Sequence, residues 1–253
     1  GYTGVTGRTG PTGMTGFTGP TGVFDPAVLT TFSEFGISLD IGVSNWREVA
    51  AGATGSRSWD AVATSSSGQY QTAVVDNGLV WVSTNYGNTW GSVTPGNQAW
   101  TSVALSASGQ YQAAVVSGGA IYVSSNFGTS FADAGSGNGS WTSVSISASG
   151  QYILASRFGP TTLLLSSNSG TTWTSLSAGS REWYSASISA SGQHQTAVAY
   201  NGSIYVSSDY GTTWRAVAGT PPGSGSWNAV SVSSSGQYQI ASRETASALY
   251  VSS

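Results

Sequence analysis

From Trp59 onward the chain is written in short apolar runs, alternating or continuous, that glycine turns separate. One stretch carries WTSVALS at 100–106, YQAAVV at 111–116 and AIYVSS at 120–125, and a run such as TWGSV at 89–93 follows the next turn. Period-two alternation in runs of this length predicts β-strands. The pattern recurs. Trp59, Trp100, Trp141, Trp183 and Trp227 are spaced 41, 41, 42 and 44 residues apart. Gly68, Gly109, Gly150, Gly192 and Gly236, each in a Ser-Gly-Gln turn, keep the same spacing. Four short strands per period of about 40 residues predict an all-β fold, a β-propeller rather than a sandwich.

The first 36 residues follow other periods. Glycine stands at every third position from Gly1 to Gly22, and threonine closes each triplet at Thr3, Thr6, Thr9, Thr12, Thr15, Thr18 and Thr21. Only glycine fits where three chains crowd a common axis, so this strict period predicts a collagen-like triple helix over 1–22, and with it a homotrimer. The outward threonines are candidate O-glycosylation sites. The Gly-X-Thr pattern resembles the collagen-like stalks of bacterial spore coats, phage fibres and giant-virus surface proteins. Residues 23–36 read as a short helical neck or linker. Asp25 suits the N-cap, Pro26 the first turn and Gly36 the position after the end, and Val28, Leu29, Phe32 and Phe35 share a face. A chain that begins on Gly1 reads as processed or as continuing upstream.

The turn between the third and fourth runs reads STNYGNTW at 83–90, SSNFGTSF at 124–131, SSNSGTTW at 166–173 and SSDYGTTW at 207–214. It resembles the Asp-box, Ser-x-Asp-x-Gly-x-Thr-Trp, of sialidase-type propellers. The resemblance assigns Asn85, Asn126, Asn168 and Asp209 the structural acceptor role, with a degenerate fifth copy, SLDIGVSNW at 38–46, centred on Asp40. The last repeat stops at LYVSS, where the others continue into their box and fourth strand. The expected architecture is a five-bladed Asp-box propeller over 37–253 whose last blade is completed by strand 40–50, from its own chain or from a neighbour's. A self-closed ring leaves no open edge.

Composition narrows the chemistry. There is no cysteine and no lysine, which excludes thiol catalysis, zinc–thiolate sites and Schiff-base chemistry. A net charge of −3 without basic clusters argues against nucleic acid, and no window approaches the ~18 apolar residues of a membrane span. No metal and no cofactor are expected. A sialidase would carry an Arg-Ile-Pro motif, which is missing. A glycosidase needs two carboxylates about the scissile bond. Glu48, Glu182, Glu244, Asp60, Asp76 and Asp133 are the candidates outside the boxes, and none recurs or pairs along the sequence. The lone His194 occupies the tyrosine place of a Ser-Gly-Gln-Tyr turn and reads as repeat drift.

The remaining charges gather on the face of the variable loops, and loops on a rigid scaffold are where binding usually lives. Arg57, Arg157, Arg181, Arg243 and Glu244 are therefore the candidate ligand contacts. The sequence-based expectation is a non-enzymatic structural and adhesive fibre protein, extracellular or surface-exposed on a virion, spore or cell, whose head binds a glycan or receptor. The alternatives are a subunit of an extracellular filament assembled by triple-helix and strand sharing, and a glycosidase.

Overall fold

The computed structural model describes residues 49, 57–218, 226–244 and 248–252. The triplet segment 1–22, the neck 23–36 and the Asp40 box lie outside the described residues.

Among the described residues nineteen strands fall into five successive units of antiparallel sheet, with no helix. The first unit comprises β1 Trp59–Thr64, β2 Gln71–Val75, β3 Gly78–Ser83 and β4 Gly91–Gln98, paired in that order. The second is β5 Trp100–Leu105, β6 Gln112–Gly119, β7 Ile121–Ser124 and β8 Ala132–Asp133. The third is β9 Gly139–Ile146, β10 Ile153–Arg157, β11 Leu164–Ser166 and β12 Thr174–Ser175. Pairing of Ser117 with Ser140 and of Gly119 with Gly139 joins these two into one eight-stranded sheet. The fourth is β13 Trp183–Ile188, β14 Gln195–Ala199, β15 Ile204–Ser207 and β16 Arg215–Ala216. The last is β17 Trp227–Val232, β18 Gln239–Arg243 and β19 Ala248–Ser252.

Each hydrophobic core lies between two units. Val74, Val80 and Val82 of the first unit pack on Trp100, Val103 and Ala114 of the second. Ala113, Val115 and Ile121 meet Trp141, Val144 and Ile153 at the next junction. Leu154, Leu163 and Leu165 meet Trp183 and Ala186, and Val198 and Ile204 meet Trp227 and Ala241. The recurring tryptophan therefore plugs each junction. Its indole N–H donates to a glycine carbonyl, at 3.0 Å from Trp100 to Gly78 and 2.9 Å from Trp141 to Gly119.

The Ser-Gly-Gln turns stitch the units along one face. Ser66 donates to the carbonyl of Ala107, Ala107 to Ala148, Ala148 to Ala190 and Ala190 to Ser234, all at 2.9–3.0 Å. Among the described residues no bond from Ser234 back to Ser66 closes this ladder. The outward faces of the two end units are correspondingly bare: Val62 is 75% exposed, Leu249 70% and Val251 79%.

The box turns are built alike. Asn85 Oδ1 accepts from the Thr89 amide at 2.9 Å and from the Ser83 hydroxyl at 3.1 Å, and the Gly87 amide donates to Ser83 Oγ at 2.9 Å. Asn126, Asn168 and Asp209 repeat this arrangement. Tyr86, Phe127, Ser169 and Tyr210 take a positive φ of 57–61°, which the turn's hydrogen bonds hold in place. In the fourth box the Thr213 hydroxyl and amide, then Ser207, hold the Asp209 carboxyl below the ordinary aspartate range.

Candidate functional site

The first strands of successive units lie side by side. Hydroxyls bind them together: Ser102 Oγ accepts from the Val144 amide, Ser145 Oγ from Ile188 and Ser187 Oγ from Val232. In every unit the residue after the recurring tryptophan is a bulge. Trp59 pairs with Val75 and Ala61 with Val74, so Asp60 has no partner, and the same skip occurs at Thr101, Thr142, Tyr184 and Asn228. A bulge re-aims one side chain out of the strand's alternation. A second equivalent position lies on the second strand or directly after it. There the amides of Asp76, Ser117, Phe158, Tyr200 and Glu244 donate, at 2.8–2.9 Å, to the residue preceding each tryptophan. Ten backbone-fixed positions thus carry the variable chemistry of the loop face, two per unit.

In the first unit both positions are aspartates. Partial desolvation of Asp60, then the negative charge of Asp76, push the Asp60 carboxyl above the ordinary aspartate value. Asp76 Oδ1 accepts from Asn77 Nδ2 at 3.0 Å. Asn77 opens onto a polar groove of about 310 Å³ that Asn97, Gln98 and Ser117 also line. Side-chain amides offer both donors and acceptors, the inventory that a polyhydroxylated ligand requires. A second cleft, about 250 Å³ and lined by Ile204, Val217, Val230, Ile240 and Val251, lies beside the last unit and presents no carboxylate.

The sequence found no paired carboxylates. The structure brings Asp60 and Asp76, sixteen positions apart, within electrostatic reach by folding them across the β1–β2 hairpin. The signal that could have found them is a comparison of the five repeats, position by position, at the two places the backbone holds constant.

The candidate arginines are spread over the first, third, fourth and fifth units, with none in the second. Arg57 lies over the Trp81 ring at 4.7 Å, Arg157 over Trp141 at 5.3 Å, Arg181 over Tyr205 at 4.4 Å and Arg243 over Trp227 at 5.8 Å. Each guanidinium lies over an aromatic ring, as a cation–π contact requires. Arg157 and Arg181 have their Nε buried without a hydrogen-bond acceptor. Glu244 is exposed at the second equivalent position of the last unit, and its amide donates to Ser226 at 2.9 Å. His194 stands in its turn as the tyrosines do in theirs, with its amide donating to Ser189 Oγ at 3.1 Å. Among the described residues no group of three or more His, Asp or Glu side chains could hold a metal ion.

No family model and no curated protein matches the chain. Solved structures do. An ancestral GH74 enzyme matches at a TM-score of 0.62 and 19% identity, covering 78% of this chain and 28% of its own. The GH74 xyloglucanase of Xanthomonas campestris matches at 0.61 and 16%, covering 77% of this chain and 37% of its own. The β-propeller domain of Cps50 (Swd1) from Myceliophteria thermophila matches at 0.58 and 12%, covering 75% and 64%. The chain spans about a third of the length of the two GH74 proteins, and the likeness establishes a β-propeller fold. It also corrects the expectation of a non-enzymatic structural and adhesive fibre. The neighbours include glycoside hydrolases, so the fold does not argue against catalysis, and the missing sialidase motif excludes one chemistry only. Carboxylates that do not pair along the sequence come within electrostatic reach at Asp60 and Asp76.

Proposed function

We propose that this chain is a glycoside hydrolase whose acid–base pair is Asp60 and Asp76. The observation that carries the reading is the pair itself: two carboxyl groups within electrostatic reach, one of them pushed toward its protonated form, with Asn77 linking Asp76 to an amide-lined groove. Hydrolysis of a glycoside needs one carboxyl to protonate the departing oxygen and a second to activate water or attack the anomeric carbon. Asp60 takes the first role. As the bond to the anomeric carbon breaks, the glycosidic oxygen leaves with the bonding electrons and with the Asp60 proton. Asp76 takes the second role, and Asn77 orients it. The resemblance to GH74 propellers supports a polysaccharide rather than a small glycoside as substrate.

The rest of the chain fits a displayed enzyme. The glycine period supports a collagen-like stalk over 1–22 that gathers three chains, and with it an extracellular or surface location. The box spacing supports an Asp-box head of five blades, in which residues 40–50 supply the fourth strand beside β19, whose outer edge has no strand partner among the described residues. A native mass of three chains, constant over a hundredfold dilution, is expected. A mass that grows with concentration would refute the discrete trimer.

Release of reducing ends from a panel of soluble polysaccharides, xyloglucan and mixed-linkage glucan included, tests the activity. The wild-type chain should cleave at least one of them, and Asp60→Asn should lower the rate at least a hundredfold. Equal rates for the two proteins would overturn the assignment.

A further inference from the structure

Of the two positions that carry carboxylates in the first unit, one carries an aromatic ring in the third unit and both do in the fourth. Phe158 and Tyr200 stand where the first unit has Asp76 and the second Ser117, and Tyr184 stands at the bulge where they have Asp60 and Thr101. The three rings touch. Phe158 meets Tyr200 at 5.9 Å between centroids and 72° between planes, and Tyr184 meets Tyr200 at 5.9 Å and 31°. Phe158 is 42% exposed and Tyr184 38%.

The fold does not require these rings. The amides of Ser117 and Glu244 make the same backbone bond as those of Phe158 and Tyr200, with a small hydroxyl or a carboxylate in place of an aromatic ring. Thr101 and Thr142 occupy the bulge with a hydroxyl that donates to the next tryptophan's carbonyl, at 2.9 and 3.2 Å. An aromatic at the fourth bulge therefore replaces a stitch with exposed apolar surface. Three contiguous rings on a loop face, two of them exposed and Tyr200 half-buried between them, cost solvation, and such patches mark binding sites.

We infer that Phe158, Tyr184 and Tyr200 form a stacking platform for the sugar rings of a glycan. The face of a pyranose presents axial C–H bonds, weakly positive, that match the negative face of an aromatic ring. The tyrosine hydroxyls add donors and acceptors at the edge, where the sugar hydroxyls lie. A run of adjacent aromatic rings suits the repeating rings of a polysaccharide better than a charged or helical ligand. The inference extends the hydrolase reading, on which the choice of ligand rests. The acidic pair would cut the chain, and the platform, on other units of the same face, would hold it.

The test uses the full chain carrying Asp60→Asn, so that binding is read without cleavage. Affinity electrophoresis and calorimetry with soluble xyloglucan and mixed-linkage glucan measure binding. The added changes are Phe158→Ser, Tyr184→Thr and Tyr200→Ser, which install residue types that equivalent positions already carry. An unchanged melting temperature and circular dichroism spectrum check that the fold survives. Loss of affinity by at least tenfold, with Tyr184→Phe alone retaining most of it, is the expected result. Unchanged affinity in the triple variant overturns the platform and leaves the hydrolase reading standing. Binding that needs the three rings, in a chain whose wild type cleaves nothing, supports the platform and overturns the hydrolase reading. Absence of binding to either glucan overturns the platform.

Discussion

Trp100→Ala and Trp59→Ala are the same substitution in two adjacent units, and the structure predicts different costs. Trp100 is fully buried between the first and second units, and its indole N–H reaches the Gly78 carbonyl at 3.0 Å. Its removal leaves a large void that the two flanking sheets cannot collapse, together with a carbonyl that loses its donor. Tryptophan-to-alanine changes in cores cost about 3–5 kcal/mol, and this site belongs near about 4 kcal/mol. Trp59 heads the first unit and is 40% exposed. Roughly three-fifths of its surface is removed from water and solvent reaches the space it would vacate, so the cost falls to about 2 kcal/mol. Urea unfolding followed by far-ultraviolet circular dichroism compares the two without depending on tryptophan emission. With a slope of about 2 kcal/mol/M, the midpoint drops by about 2 M for Trp100→Ala and about 1 M for Trp59→Ala. Equal drops would refute the claim that the first unit's outer face is bare and the second junction sealed.

Further outcomes follow from the turns and from the titrating carboxylates. Gly150→Ala should destabilise by more than about 2 kcal/mol, because φ is +80° and the new Cβ would sit 2.3 Å from Tyr111 Cδ2. Gly135→Ala, at φ +66° with open space around it, should cost only about 1 kcal/mol. Thermal melts of the two variants decide this. The folded value of Asp209 is depressed, so its stabilisation is present above the ordinary aspartate value near 3.8 and is lost as pH falls through the lower folded value. Asp209→Asn, which copies the other three described boxes, should remove that acid loss from a stability–pH curve. The folded value of Asp60 is raised, so its contribution is present below 3.8 and fades as pH climbs through the folded value. Asp60→Asn should flatten that decline.

The strands, their order within each unit and the box turns are legible in the sequence, because they follow from period-two alternation and from glycine and Asn/Asp at fixed offsets. The site is less legible for a physical reason. Alternation assigns each residue to one face or the other, but the bulge after every tryptophan breaks the count by one. It re-aims Asp60 and Tyr184, which the pattern alone leaves as ordinary strand residues. The Asp60–Asp76 relation also depends on hairpin register, which no run of residues displays. The arginines are a different case. Their place on the loop face could be read, but the stacking of Arg157 on Trp141 and of Arg181 on Tyr205 arises from rings that belong to the junctions. The repeats hold the more useful signal. Where five equivalent positions share a backbone hydrogen bond yet carry Asp, Ser, Phe, Tyr and Glu, the fold has left the residue type open for binding and chemistry.

Carbon-13 NMR titration of the Asp60 carboxyl, in the wild-type chain and in Asp76→Asn, tests the paired acid most directly. Asp60 should titrate above the ordinary aspartate value in the wild type. Without the Asp76 charge it should move down but stay raised, since desolvation is the larger cause. An ordinary value for Asp60 that the Asp76 change leaves untouched would contradict the coupled pair, and with it the acid role on which the hydrolase reading stands.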